Sequence, residues 1–204
     1  MNNLFLSLYP EKNKARQLEL ITCLTNNSKV FDNIFILTER DGEIDFIPEL
    51  KNKAEVFRLP TNMRPTIRTY FNCINHVCDE NDINVLANAD IFFKEQIQDF
   101  PKNVCYALTR YDILKDGTEH FLGRRDSQDA WCFRGSVKMP QYVDFHQLPG
   151  FDNRLARELL VIGYNIRNPS LTIKCFHLHH GEKSYDGTQR VNRPFHFLPP
   201  IELI

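Results

Sequence analysis

Along this chain, short unbroken apolar runs alternate with stretches whose apolar residues recur every three or four positions. Residues 4–9 form the first run, stop at Pro10 and read as a buried strand. Residues 14–26 carry Leu18, Ile21 and Thr25 at helical spacing, and the pair Asn26-Asn27 is expected to end that helix. Residues 33–38 and 54–59 predict two further buried strands, the second ended by Pro60. Arg64-Pro65 is expected to open a helix, because proline is preorganised for the first helical turn. Ile67, Phe71, Ile74 and Cys78 then define one apolar helix face. Residues 84–93 predict the next strand, leading into a turn.

The first half therefore orders as strand, helix, strand, strand, helix, strand, the pattern of an α/β sandwich with a mostly parallel sheet. Its strands are continuously apolar rather than alternating, as strands covered on both faces require. In the second half, residues 104–109 and 130–133 predict strands. Residues 152–163 predict a helix with Asp152 as N-cap, Leu155, Leu159 and Ile162 on one face, and Gly163 at its end. Residues 171–178 predict a strand, and residues 181–204, with little periodicity, a surface tail or lid. No repeat, low-complexity segment or linker divides the chain, so one domain is expected, with its core over residues 3–180.

Composition narrows the function. The chain has 204 residues, 42% apolar and 25% charged, ordinary proportions for one globular unit with a sizeable core. A net charge of -1 excludes the global basic field that drives non-specific nucleic-acid binding. Arg124, Arg125, Arg154 and Arg157 remain a candidate local basic patch. Six cysteines, with no Cys-x-x-Cys pair, read as free thiols in a reducing compartment rather than as a zinc site. The first residues lack the pattern of a signal peptide, and no apolar stretch approaches the roughly 20 residues of a membrane span. A cytoplasmic protein is expected.

Several segments carry candidate chemistry. Asn88-Ala89-Asp90 follows an apolar strand, and open α/β sheets bind ligands beyond the carboxyl ends of their strands. A carboxylate there suits a hard divalent cation and, through it, phosphate oxygens; the plain alternative is a polar turn. Asp152 is either a helix cap or, at a pocket rim beside Gly150 and Asn153, a general base for an attacking hydroxyl. His177 and His179 share one strand face and suit a metal or a pyrophosphate. Gln128 and Asp129 precede the strand of the single tryptophan, Trp131; they suit sugar hydroxyls, or form a polar loop feeding a core strand. Arg64 and Arg68, at a helix start, suit a nucleotide or diphosphate, or are plain surface arginines.

In this order the segments resemble the GT-A superfamily of nucleotide-sugar-dependent glycosyltransferases, including small bacterial and phage glycosyltransferase-like proteins. The resemblance implies a Rossmann-like α/β/α sandwich. It implies that the first strand, with Leu8 and Tyr9, holds the nucleotide. Asn88-Ala89-Asp90 is similar to the family's Asp-x-Asp motif, with Asp90 matching the metal-binding carboxylate; Asn88 departs from it, since an amide brings no charge. His177 or His179 is similar to the C-terminal metal ligand. Asp152 resembles the carboxylate that opens the catalytic helix, and Asp129 is a second catalytic candidate.

The implied donor is a nucleoside diphosphate sugar, with Mn²⁺ or Mg²⁺ acting as Lewis acid on its phosphates. Asp152 would deprotonate the acceptor in an inverting reaction, or steady an oxocarbenium-like centre in a retaining one. The expected acceptor is a glycan or small molecule. The alternatives are a hydroxymethylated base in phage DNA and a non-catalytic nucleotide-sugar-binding domain. Tyr9-Pro10-Glu11-Lys12, in place of a Gly-rich phosphate loop, argues against nucleotidyl transfer.

Overall fold

Side chains that alternate between two covered faces explain the unbroken apolar strands. The computed structural model describes residues 1–8, 11, 13–38, 50, 52–60, 64–178 and 189–203. Strands β1 (Asn2–Leu8), β2 (Asn33–Thr38), β3 (Ala54–Arg58) and β4 (Ile83–Ala87) pair in parallel, in the order β3-β2-β1-β4. Helix α1 (Lys14–Val30) lies between β1 and β2 in the chain, and α2 (Ile67–Val77) between β3 and β4. Leu4, Leu6, Ile34, Ile36 and Val85 pack on one face with Leu24 of α1. Phe5, Phe35, Leu37 and Leu86 pack on the other with Ile67, Phe71 and Ile74 of α2. Each such side chain contributes about 1.5–3 kcal/mol on full burial.

The sheet continues beyond β4 through β9 (Ala130–Arg134), β6 (Val104–Leu108) and β10 (Asn165–Arg167). β9 runs antiparallel to both β4 and β6, while β10 is parallel to β6. The result is a seven-stranded, mostly parallel sheet, the expected α/β class. Helix α3 (Phe151–Val161) packs Leu155, Ala156 and Leu159 on the α2 face. A second sheet joins β5 (Ile91–Phe92), β11 (Phe176–Leu178), β7 (Tyr111–Ile113) and β8 (Glu119–His120) in that order. All six cysteines are free thiols, and burial raises the Cys73 thiol pKa to about 12. Among the described residues no helix is long and apolar enough to cross a membrane.

Several boundaries differ from the sequence expectation. α1 does not stop at Asn26-Asn27 but runs on to Val30. Asn27 is fully buried; its Nδ2 donates to the Ile91 carbonyl at 2.8 Å and its Oδ1 accepts from the Phe93 amide at 3.0 Å. A tertiary partner thus takes the polar side chain that would otherwise compete with the helix backbone. Pro65 does not open α2; Thr66 is the N-cap, in a reciprocal capping box with Thr69. Asp152 is not the cap of α3. Gly150 caps it at φ 83, a left-handed conformation suited to glycine, and Asp152 sits in the first turn.

The predicted strand over 84–93 breaks at Asn88, where the Ile91 amide donates to the Asn88 carbonyl at 3.0 Å. The strand expected over 171–178 shortens to Phe176–Leu178, because the Thr172 and Ile173 amides turn back onto the Pro169 carbonyl. The described tail, residues 189–203, has no helix or strand. Its backbone amides bind across the fold, Val191 to the Pro149 carbonyl, His196 to Asn153, Leu198 to Arg125 and Ile201 to Asn168, at 2.8–2.9 Å. Residues 181–188 lie outside the described residues.

Asn27→Ala is expected to cost about 2–4 kcal/mol, because it strands a buried N–H and a buried C=O without partners. Urea denaturation checks this, and a loss below about 0.5 kcal/mol would mean that those groups find other partners.

Candidate active site

A row of acidic side chains meets opposing cations where the carboxyl end of β4 reaches the second sheet. β4 ends at Ala87, and the turn that follows carries Asn88, Ala89 and Asp90. β11 lies between β5 and β7, with His177 in register with Ile91 on one side and Asp112 on the other. His177 Nε2 stands 3.3 Å from Asp90 Oδ2, and His177 Nδ1 lies 2.9 Å from Asp112 Oδ1. Arg16 of α1 binds Asp90 through one guanidinium nitrogen and Glu19 through the other, the latter at 2.5 Å. Arg110 continues the row, with Nε on Asp112 at 2.8 Å and Nη1 on Asp129 at 2.9 Å. Asn88 Nδ2 also donates to Asp129 Oδ1, at 3.1 Å. All four carboxylates and the imidazole are buried, His177 to 1% exposure.

Such burial demands pairing, since an isolated ion inside a protein costs several kcal/mol. Burial alone would raise the Asp112 pKa, but Arg110 and His177 outweigh it and hold the carboxyl below the ordinary range. Burial would lower the Arg110 pKa, and Asp129 and Asp112 instead push it up.

Asp152 reaches this row through two connections. Asn153 Nδ2 donates to the Asp126 carbonyl at 3.2 Å, tying the start of α3 to the loop before β9. The Asp152 carboxylate accepts from the Gln128 backbone amide and feels the charge of Asp129. Burial first, and Asp129 second, drive its pKa well above the ordinary carboxylate range, against the pull of Arg124 and Arg110. The loop is held from below by a buried junction. Asn168 Nδ2 donates to Thr109 Oγ1 and to the Leu198 carbonyl, both at 2.9 Å, and Thr109 Oγ1 donates to the carbonyls of Arg124 and Ser127. Gln128 Oε1, Asp129 Oδ2 and Asn153 Oδ1 are buried and have no hydrogen-bond partner among the described residues. Acceptors left over this way suit the hydroxyl donors of a sugar.

The sequence candidates divide accordingly. Asn88, Asp90, Asp129 and His177 come together, with Asp152, Gln128, Gly150 and Asn153 beside them. Ala89 packs against the core. Leu8 is a core side chain on the α1 face. Trp131, registered between Leu86 and Ala107, is 2% exposed and packs in the opposite core, so its ring is not a sugar platform. Arg68 does not face the carboxylates; it donates to the carbonyls of Pro140, Gln141 and Val143 and pins that loop. Arg64 is exposed ahead of α2. Tyr9 and His179 lie outside the described residues.

Two of the four arginines of the proposed basic patch are paired, Arg124 with Asp126 and Arg154 with Glu158. Sequence reasoning missed Arg16, Glu19, Arg110 and Asp112. The available signals were the i, i+3 spacing of Arg16 and Glu19 on the first helix and the i, i+2 spacing of Arg110 and Asp112 at the start of a strand.

Among the described residues no group of three or more His, Cys, Asp or Glu side chains is arranged to hold a metal ion. Asp90 and His177 still fit as two ligands. His177 has Nδ1 against Asp112 and Nε2 against Asp90, the carboxylate–histidine arrangement that orients metal-binding imidazoles. The carboxylate suits Mn²⁺ or Mg²⁺, while the imidazole suits later first-row metals. Beside Arg110 and Asp129 the described residues leave a cleft of about 30 Å³, room for a water.

No protein-family model matches the chain, and no curated protein does. Among solved structures, a mannosyltransferase from Pyrobaculum calidifontis, in complex with GDP-Man and Mn2+, is similar to it at 12% identity with a TM-score of 0.53. The similarity covers 86% of this chain and 56% of that one, so this chain spans little more than half the length of the mannosyltransferase. At that identity the likeness is one of fold: both are Rossmann-like α/β folds.

Asp152→Asn is expected to stabilise the protein near pH 7. Below the unfolded carboxyl pKa, both states are protonated and there is no penalty. As pH rises towards the raised folded value, only the unfolded chain loses its proton, and stability falls. Thermal melts should show the variant above the natural chain at pH 7, with the two converging near about pH 3. An equal difference at both pH values would contradict the raised pKa.

Proposed function

We propose that this chain is a glycosyltransferase that moves a sugar from a nucleoside diphosphate donor to an acceptor hydroxyl. The observation that carries this reading is the convergence of Asp90, His177, Asp129 and Asp152, far apart in sequence, at the carboxyl end of β4. Ligand sites of open α/β sheets lie at such strand ends. The fold shared with a mannosyltransferase that was solved with GDP-Man and Mn2+ supports it.

In this reading Asp90 and His177 would hold a divalent cation, which would supply Lewis-acid neutralisation of the diphosphate charge. Asp112 fixes the His177 ring through Nδ1. Asp129, held by Asn88 and Arg110, keeps Oδ2 for a sugar hydroxyl. Gln128 and Asn153 offer further acceptors to the same hydroxyls. Asp152 takes the acceptor proton as general base. The acceptor is a small molecule or glycan, and the reaction takes place in the cytoplasm.

Thermal-shift titration with a panel of nucleotide sugars, with and without Mn²⁺, tests the donor class, because a cognate donor stabilises the folded state by mass action. A panel in which no nucleotide sugar shifts the melt in either condition overturns the reading. Asp90→Ala should abolish Mn²⁺-stimulated donor hydrolysis and transfer. Asp152→Asn should bind donor normally and lose turnover by about 10²–10⁴-fold. Full transfer by both variants would reject these roles. Asp112→Asn should leave the fold intact and weaken Mn²⁺ binding by about 10–100-fold, read by calorimetry; unchanged affinity would remove His177 from the ligand set.

A further inference from the structure

The tail builds a cavity that the transfer chemistry above does not use. It measures about 360 Å³ and is lined by Arg190, Val191, Asn192, Arg193, Phe195 and Phe197. That size is within the range of small-molecule sites. The guanidinium carbons of Arg190 and Arg193 stand 5.5 and 5.9 Å from the centre of the Phe195 ring. Arg125 stands 5.5 Å from the centre of Phe197, which is 44% exposed. Cation–π contact of this kind holds a guanidinium while its N–H donors stay available to a carboxylate or phosphate.

Arg110, Arg124, Arg134 and Arg154 all pair with acidic side chains. Among the described residues none of Arg125, Arg190 and Arg193 pairs with an acidic side chain; Arg190 and Arg193 line the cavity, and Arg125 lies against the ring of its wall residue Phe197. The cavity is also fixed in position. Arg154 Nη1 donates to the carbonyls of Asn192 and Arg193, and the His196 amide to Asn153. A Cβ added at Gly150 would lie 3.0 Å from Phe195 Cζ and 3.2 Å from Arg190 Nε, so the ring and guanidinium abut the residue two before Asp152.

We propose that this cavity binds the anionic group, phosphate or carboxylate, of a small acceptor, and so presents a hydroxyl of that molecule to Asp152. The inference rests on the transferase reading for the acceptor role, while the anion site stands on the cavity itself. The volume suits a sugar phosphate or uronic acid.

The test compares the natural chain with Arg190→Gln/Arg193→Gln, by calorimetry, using inorganic phosphate, glucose 6-phosphate, glucuronate and glucose as probes. Glucose 6-phosphate or glucuronate should bind and glucose should not; which of the two binds identifies the anion. The double variant should melt as the natural chain does, retain donor binding and donor hydrolysis, and lose anion affinity by at least about tenfold. Arg190→Lys/Arg193→Lys should recover part of that loss. Equal anion binding by the natural chain and the glutamine variant overturns the site, as does binding of neither anion. Tight, salt-sensitive binding of duplex DNA that the glutamine variant abolishes also overturns it, by making the patch a nucleic-acid contact. Failure of every donor to bind would instead sink the transferase reading, with the phosphate titration still deciding the anion site.

Discussion

Asp90 is a buried carboxylate at the mouth of the sheet, and it survives there because Arg16 and His177 meet it from different elements. Glu19, Asp112 and Asp129 are buried in the same row, each against a guanidinium. Removing any one cation would leave charge in a poorly solvated place, at a cost of several kcal/mol. The row therefore couples α1, the end of β4, the second sheet and the loop before β9. The position of each depends on the others.

That coupling explains why the second sheet exists. Its strands have two or three residues, too few to be stable alone. They are anchored at Asn27, which grips the backbone of residues 91 and 93, and at His177, which bridges two acids. Aromatic stacking of Phe92 on Phe176, with Lys94 over the Phe176 ring, closes the outer side. The tail plays the matching role on the other flank of Asp152. It hydrogen-bonds to Pro149, Asn153, Arg125 and Asn168, four points spread across the second half of the chain.

Much of this was legible in local sequence. Residues 88–90 stood out because a polar triplet ends an apolar run, and Gly150 with Asp152 stood out because a helix pattern begins there. The local rules failed where a distant partner satisfied a polar group. Asn27 reads as a helix stop, yet it is engaged by β5 and its neighbour Phe93. Trp131 reads as a possible sugar contact, yet the strands on either side bury it.

The amino-acid sequence by itself determined the α/β class, the parallel strands of the first half and the strand end and helix start that carry Asp90 and Asp152, because periodicity and turn chemistry act over a few residues. Only the tertiary structure decided which charges meet. Arg16 finds Asp90 across 74 positions, and Asp112 finds His177 across 65. Pairing at such separations follows from which strands lie side by side, and no local pattern encodes that neighbourhood.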